Sequence, residues 1–365
     1  MSVQISYKKQ FTIALLLAIV LLASLEGISR TYEFISPRCS FIDSPVDAFE
    51  NVDFFLLRMM CNDTSLVAHI KSDILLIAPD QHFGTININS HGFRGPEFSQ
   101  DKPFDTYRIF VVGGSTTYGV GSTSDQTTIP GYLQQKYSEI NLPINVEVIN
   151  AGIGGAESTR ETYMIKNILL DFDPDLFIIY DGWNDAQTNP YELNIAPKND
   201  NDSDENIFKF ANFPYYRTPF VIHQILFLHN IEANEKFLDN SLVPQRISNW
   251  KNNWIESCTQ TQQHEIKTIL TVQPLIGSGK KILTEDESKW DGTNNVELKS
   301  LEGFASSLSE LDSFCYDTAD LRSSFDNFTE PIFFDIGHTN DFGNNIIAEK
   351  LFELSYPIVL EDINR

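Results

Sequence analysis

Basic side chains are scarce in this chain: 26 Lys and Arg stand against 50 Asp and Glu, a formal charge of −24. A partner built on phosphates would have to overcome that field, so nucleic acid is excluded as a partner and anionic headgroups are disfavoured. Cysteine is scarce too. The four present, Cys39, Cys61, Cys258 and Cys315, form no CxxC pair, which removes the zinc-ribbon and thioredoxin-like readings. No cluster of His, Cys and carboxylates has ligand spacing, so neither a metal nor a cofactor is expected. The Gly-rich stretches lack the Lys-Ser/Thr pair of a P-loop and the spacing of dinucleotide-binding glycines. No internal repeat is visible. Long apolar runs are absent except for one at the N-terminus.

That run follows Lys8 and Lys9 and extends uncharged from Phe11 to Leu25, reaching Ile28 if Glu26 can find the interface. Its length lies between a signal-peptide core and a membrane span. No small-x-small cleavage site follows, since Ala23 is paired with Leu25 and then come Glu26 and Gly27. Residues 1–30 are therefore read as a signal anchor or signal peptide, with the anchor favoured. Either way Lys8 and Lys9 stay inside and the body is exported, giving a membrane-anchored or secreted protein whose main part lies outside the cytoplasm. An even number of cysteines suits disulfides in an oxidising compartment, and the shortest loops pair Cys39 with Cys61 and Cys258 with Cys315.

Hydrophobic residues make up 42% of the chain, enough for a sizeable core. Residues 31–104 read as an irregular leader with short strands near Ile74–Ala78 and Thr85–Asn89. From Tyr107 onward, buried strands alternate with helices. The strands are Arg108–Val112, Asn145–Ile149, Pro174–Tyr180, Ile266–Val272 and Pro331–Phe334, and each is a short, largely apolar run. Helical patterns fill the intervals, among them one starting at Pro244 and a closing helix from Asp341 to Leu354. This alternation predicts an α/β fold, three-layer α/β/α with a five-stranded parallel sheet in flavodoxin-like order, over residues 105–365. A long excursion at 186–243, aromatic and without clear periodicity, predicts a lid-like insertion.

Ligands in such folds sit beyond the carboxyl ends of the strands, and four of those ends carry polar or Gly-rich segments. They are Gly113-Gly-Ser115-Thr-Thr-Tyr-Gly119, Asn150-Ala-Gly-Ile-Gly-Gly155, Asp181-Gly-Trp-Asn184-Asp185 and Asp335-Ile-Gly-His338. Taken singly each has a plain reading as a turn or a cap. Of the seven histidines, only His338 has an acidic residue three positions earlier. That spacing lets Asp335 accept from ring Nδ1–H and leaves Nε2 free as a base.

In order and spacing the four segments resemble the SGNH/GDSL hydrolase family, over about residues 107–350. The resemblance implies Ser115 as nucleophile and His338 with Asp335 as its partners. It implies an oxyanion hole from the backbone N–H groups of Ser115 and Gly155 and the side-chain amide of Asn184, with Gly152 and Gly154 as other candidates for the second-block glycine. The first block departs from Gly-Asp-Ser-Leu by reading Gly-Gly-Ser-Thr, which bears on the substrate more than on the chemistry. The stretch Ile88–Gly95 resembles a lead-in of membrane-linked members, in which Arg94 is structural. Asp185 is expected to fix the loop that holds Asn184.

These roles cohere chemically. A serine hydroxyl attacks an ester once a neighbouring base takes its proton, and the oxyanion that forms needs fixed donors. The expected function is an extracytoplasmic serine carboxylic ester hydrolase that cleaves a short-chain or acetyl ester through an acyl-enzyme. An acylated glycan or lipid is the candidate substrate, and the N-terminal segment is the contact with the membrane. An O-acyltransferase acting on a surface glycan with the same residues is the alternative, and a non-catalytic glycan-binding or scaffolding protein is a second one.

Overall fold

The computed structural model describes residues 6–35, 47–71, 74–190, 217–218, 221–222, 239–293 and 295–364. The chain forms two compact units, Met1–Cys39 with Lys198–Ala233, and Ser40–Pro197 with Asn234–Arg365.

In the first unit, α1 spans Tyr7–Ile35. Its Leu- and Ala-rich sequence carries no proline and favours helix, and its apolar side chains point to all sides rather than one. The stretch Tyr7–Tyr32 is long and apolar enough to cross a membrane, and none of its apolar window is buried. A helix satisfies its own backbone groups, which is the requirement for lying in lipid.

The second unit begins with α2 (Phe54–Leu66), capped by Asp53, whose carboxylate accepts from Phe55 N at 2.8 Å and Leu56 N at 3.3 Å. Two short antiparallel pairs follow: β1 (His69–Lys71) with β2 (Leu75–Ile77), and β3 (Gln81–His82) with β4 (Asn87–Ile88). Then come β5 (Thr106–Gly113), α3 (Ser115–Tyr118), α4 (Ile129–Glu139), β6 (Asn145–Gly152), α5 (Ser158–Asn167), β7 (Leu176–Asp181) and α6 (Trp183–Gln187). After the insertion follow α7 (Val243–Gln263), β8 (Lys267–Val272), α8 (Asn295–Leu311), β9 (Asp317–Asp320) and α9 (Asp341–Ile363). The lid expected at 186–243 lies for the most part outside the described residues.

The five-stranded sheet has the order β6-β5-β7-β8-β9 and is parallel throughout. Alternate residues of each strand feed two cores. Phe110, Val112, Phe177, Ile179, Leu270 and Val272 pack with α5, α7 and α8 on one face. Ile109, Val111, Leu176, Ile178 and Ile269 pack with α4 and α9 on the other. Burial on both faces is why the strands are continuous apolar runs. The chain runs from β5 outward to β6 and then back to β7 on β5's other side, so the crevice of this sheet opens at the carboxyl end of β5. There Gly113 aligns with Gly152 on one side and Tyr180 on the other, which brings three loops together.

The fifth strand is not where the apolar pattern put it. The edge position belongs to Asp317–Asp320, which among the described residues pairs only with β8. An edge strand with one neighbour and half-exposed side chains needs no apolar run, so its polar sequence gave no strand signal. Pro331–Phe334 is apolar because Ile332, Phe333 and Phe334 are buried, yet it forms no strand. Its backbone N–H groups at Ile332 and Phe333 go instead to the buried carboxylate Oε1 of Glu287, at 2.9 and 3.0 Å.

Cys258 in α7 and Cys315 after α8 form a disulfide 57 residues apart in sequence. Cys61 is also disulfide-bonded, while Cys39, its expected partner, lies outside the described residues. A cross-link closing a loop of that size stabilises by about 2–4 kcal/mol, chiefly by restricting the unfolded chain. Cys258→Ser should therefore lower unfolding stability by about that amount. Chemical denaturation of both proteins without reductant checks this, and equal stabilities would contradict it.

Candidate active site

Gly113 and Gly114 let the chain turn sharply out of β5. A Cβ on Gly113 would lie 2.4 Å from the carbonyl oxygen of Tyr180, and one on Gly114 would lie 2.3 Å from Nδ2 of Asn184. Glycine is thus required by close approach at both positions. The turn presents Ser115 as the first residue of α3, whose far end closes on Gly119 in the left-handed region at φ +97°.

His338 meets Ser115 across the sheet end. Its Nε2 lies 2.7 Å from Ser115 Oγ, and its Nδ1 lies 2.7 Å from Asp335 Oδ2. The other oxygen of Asp335 accepts from the backbone N–H groups of Gly337 (3.0 Å) and His338 (2.8 Å). One carboxylate therefore both folds the turn and orients the ring. Burial acts to raise the Asp335 pKa, but the facing His338 charge, its ring N–H and the two backbone N–H groups outweigh that and hold it below the usual carboxylate value. Asp335 is ionised at neutral pH.

Two aromatic side chains hold the imidazole, and sequence reasoning did not single them out. Phe334 stacks on it with ring centroids 5.5 Å apart and planes 8° apart, and Trp183 meets it edge-on at 4.8 Å. A Cβ on Gly337 would lie 2.7 Å from the Trp183 ring, so this glycine admits the indole. Their signal was adjacency alone: Trp183 precedes Asn184 and Phe334 precedes Asp335.

Asn184 lies in the first turn of α6, and its Nδ2 donates to the carbonyl of Ala156 at 2.6 Å. Its amide sits beside Gly114, one residue from the nucleophile. The three candidate glycines of the second block separate clearly. Gly152 is packed under α3, where a Cβ would lie 2.1 Å from Tyr118 N, while Gly154 and Gly155 have open space on that side. Only Gly155 of the three has positive φ, +74°. Arg94 is buried; it pairs with Asp125 at 2.8 Å and donates to the carbonyls of Gly119 (2.8 Å), Tyr118 (3.2 Å) and Thr85 (3.0 Å). It therefore ties the 85–95 segment to the end of the Ser115 helix and has no part in the triad-like line.

Beneath these loops lies a nest of buried acids. Asp185 accepts from Ser158 N at 2.7 Å and from Ser158 Oγ, joining the residue after Asn184 to the start of α5, just beyond Gly155. Asp181 accepts from Trp250 Nε1 at 2.9 Å. Burial pushes Asp185 and Glu161 well above the ordinary carboxylate range, with neighbouring carboxylates adding to it, and raises Asp181 to about 6. Groups that bind protons more tightly when folded stabilise the fold at low pH, and that contribution is lost as pH rises through the folded pKa, about 6 for Asp181. The melting temperature should therefore fall by several degrees between about pH 5 and pH 8, and Glu161→Gln should flatten that fall. Thermal melts of both proteins across that range check it. An equal slope in both would contradict it.

Among the described residues no group of His, Cys, Asp and Glu could hold a metal ion. Residues 111–213 match the GDSL-like lipase/acylhydrolase family. That segment is a GDSL-like domain. It contains Ser115, Gly155 and Asn184, while Asp335 and His338 lie beyond it and are brought to it by the fold. The match likens this segment to lipases and acylhydrolases. Among solved structures, an acetyl xylan esterase is similar at 16% identity and TM-score 0.39, covering 68% of this chain and 98% of its own. An acetylxylan esterase from Geobacillus stearothermophilus is similar at 12% identity and TM-score 0.41, covering 68% and 93%. An α/β hydrolase enzyme from the metagenome of Lake Arreo, Spain, is similar at 12% identity and TM-score 0.40, covering 68% and 94%. No curated protein matches the chain.

Proposed function

We propose that this chain is a membrane-attached, extracytoplasmic carboxylic ester hydrolase that removes a short acyl group, acetyl foremost, through an acyl-enzyme on Ser115. The observation that supports this reading is the unbroken line Ser115 Oγ–His338 Nε2–Asp335, with both hydrogen bonds at 2.7 Å. His338 Nε2 takes the serine proton as Oγ attacks the ester carbon, and Asp335 stabilises the imidazolium that results. The carbonyl oxygen, now negative, is received by the N–H groups of Ser115 and Gly155 and by the Asn184 amide, which turns from Ala156 to the oxyanion. Collapse of the tetrahedral species returns the proton to the leaving alkoxide. Water, deprotonated by the same His338, then releases the acid and regenerates Ser115.

The outside location draws support from the Cys258–Cys315 bridge and from α1 with its inner-side lysines. The test is hydrolysis of an ester series from acetyl to long-chain acyl by the purified chain, with Ser115→Ala as control. Short esters should turn over fastest and the control should be inactive. Product partition between water and an added sugar acceptor tests the alternative, since transfer to sugar in preference to water would make the enzyme an O-acyltransferase.

A further inference from the structure

Glu26 is a carboxylate at the end of the uncharged apolar run of α1, and such a group is costly in or near lipid unless its lone pairs are taken. All its partners lie within the first unit. Arg217 N donates to Oε1 and Oε2, each at 3.0 Å, and Thr218 gives Oε2 both its backbone N (3.1 Å) and its hydroxyl (2.9 Å). Arg30, one turn further along α1, adds its Nε at 2.8 Å. Ser29 Oγ meets Thr218 Oγ1 at 3.3 Å and is itself buried.

Arg217 and Thr218 open a helical turn, in which Val221 N donates to Arg217 O at 2.9 Å. The N–H groups of a first turn have no partner within their own helix. Glu26 takes the place a capping side chain would ordinarily hold, but from 191 residues away in sequence. Lys9 and Glu26 stand 17 positions apart. At about 1.5 Å per residue this is about 26 Å, close to the roughly 30 Å of a hydrocarbon core. With Lys8 and Lys9 at the inner interface, Glu26 therefore reaches the outer one.

We infer that the N-terminal helix is retained in the working protein and that Glu26, at the outer membrane surface, is the cap that docks Arg217 and Thr218 of the insertion onto it. A cleaved signal peptide would take this cap away and leave the N–H groups of Arg217 and Thr218 without their acceptor. The lipid is the partner of the apolar run of α1, and the insertion is the partner of its polar outer end. This rests on the membrane attachment proposed above and is independent of the Ser115 chemistry.

The experiment uses the full chain extracted from membranes in detergent. Its intact mass should include residues through Glu26, and a mature chain beginning after Glu26 would overturn the inference. In the same preparation, Glu26→Ala should speed tryptic cleavage after Arg217 by about tenfold, the effect of losing a helix cap. Thr218→Val, which leaves the anchor sequence untouched, should give a smaller rise of about two- to threefold. Fluorophosphonate labelling of Ser115 should persist in both variants, showing that the hydrolase unit is folded. Unchanged cleavage after Arg217 in both variants would overturn the docking role, whereas loss of labelling in the unmodified chain would bear on the proposed hydrolysis instead.

Discussion

Ser115→Ala and His338→Ala should each lower turnover by about 10⁴–10⁶-fold, and the double variant should be little worse than either single one. The reason is geometric. At 2.7 Å the serine hydroxyl and Nε2 share one proton, so removing either group removes the same step. Residual activity in each variant would come from the oxyanion donors alone, which remain in place. Steady-state kinetics on an acetyl ester measures all three variants together. Losses that multiply in the double variant would mean that the two residues act in separate steps.

Asp335→Asn should leave the fold intact and lower turnover by about 10⁴-fold. The native carboxylate uses one oxygen for the backbone N–H groups of Gly337 and His338 and the other for the ring Nδ1. An amide has only one oxygen. If that oxygen keeps the turn, the NH₂ group faces Nδ1 and forces the proton onto Nε2, which can then no longer take one from Ser115. Protonation of Asp335 itself has the same effect, and its lowered pKa delays this to acid pH. The stability it contributes is present above the ordinary carboxylate pKa and is lost as pH falls through the lower folded value. Kinetics together with a retained far-ultraviolet circular-dichroism spectrum near pH 7 tests the claim, and a loss of less than about tenfold would mean that the carboxylate does not set the tautomer.

Ser115, Gly155 and Asn184 stood out as candidates because they fall just beyond the ends of parallel strands. Ser115, Gly155, Asn184 and His338 each follow a buried apolar segment, and such segments are visible as short β-branched runs. The same rule misplaced the last strand. Apolarity reports burial, not pairing, so the buried but irregular Pro331–Phe334 looked like a strand and the half-exposed Asp317–Asp320 did not. Periodicity could not single out Trp183 and Phe334, since one aromatic at a loop end has no repeat to betray it. Nor could it separate a solvated acid from a buried one: Glu161 carried no signal in the sequence, yet it is fully buried beside Asp181 and Asp185. Glu26 was legible as a charge needing an interface, but its partners at Arg217 and Thr218 lie far along the chain and only the folded first unit brings them together.

The central claim is that Ser115 is a nucleophile activated by His338. Labelling with a fluorophosphonate, which forms a covalent bond only with an activated hydroxyl, followed by peptide mapping, tests it most directly. One label per chain is predicted, on the peptide containing Ser115 and dependent on His338. A label on another serine, or full labelling and full activity in Ser115→Ala, would contradict the account.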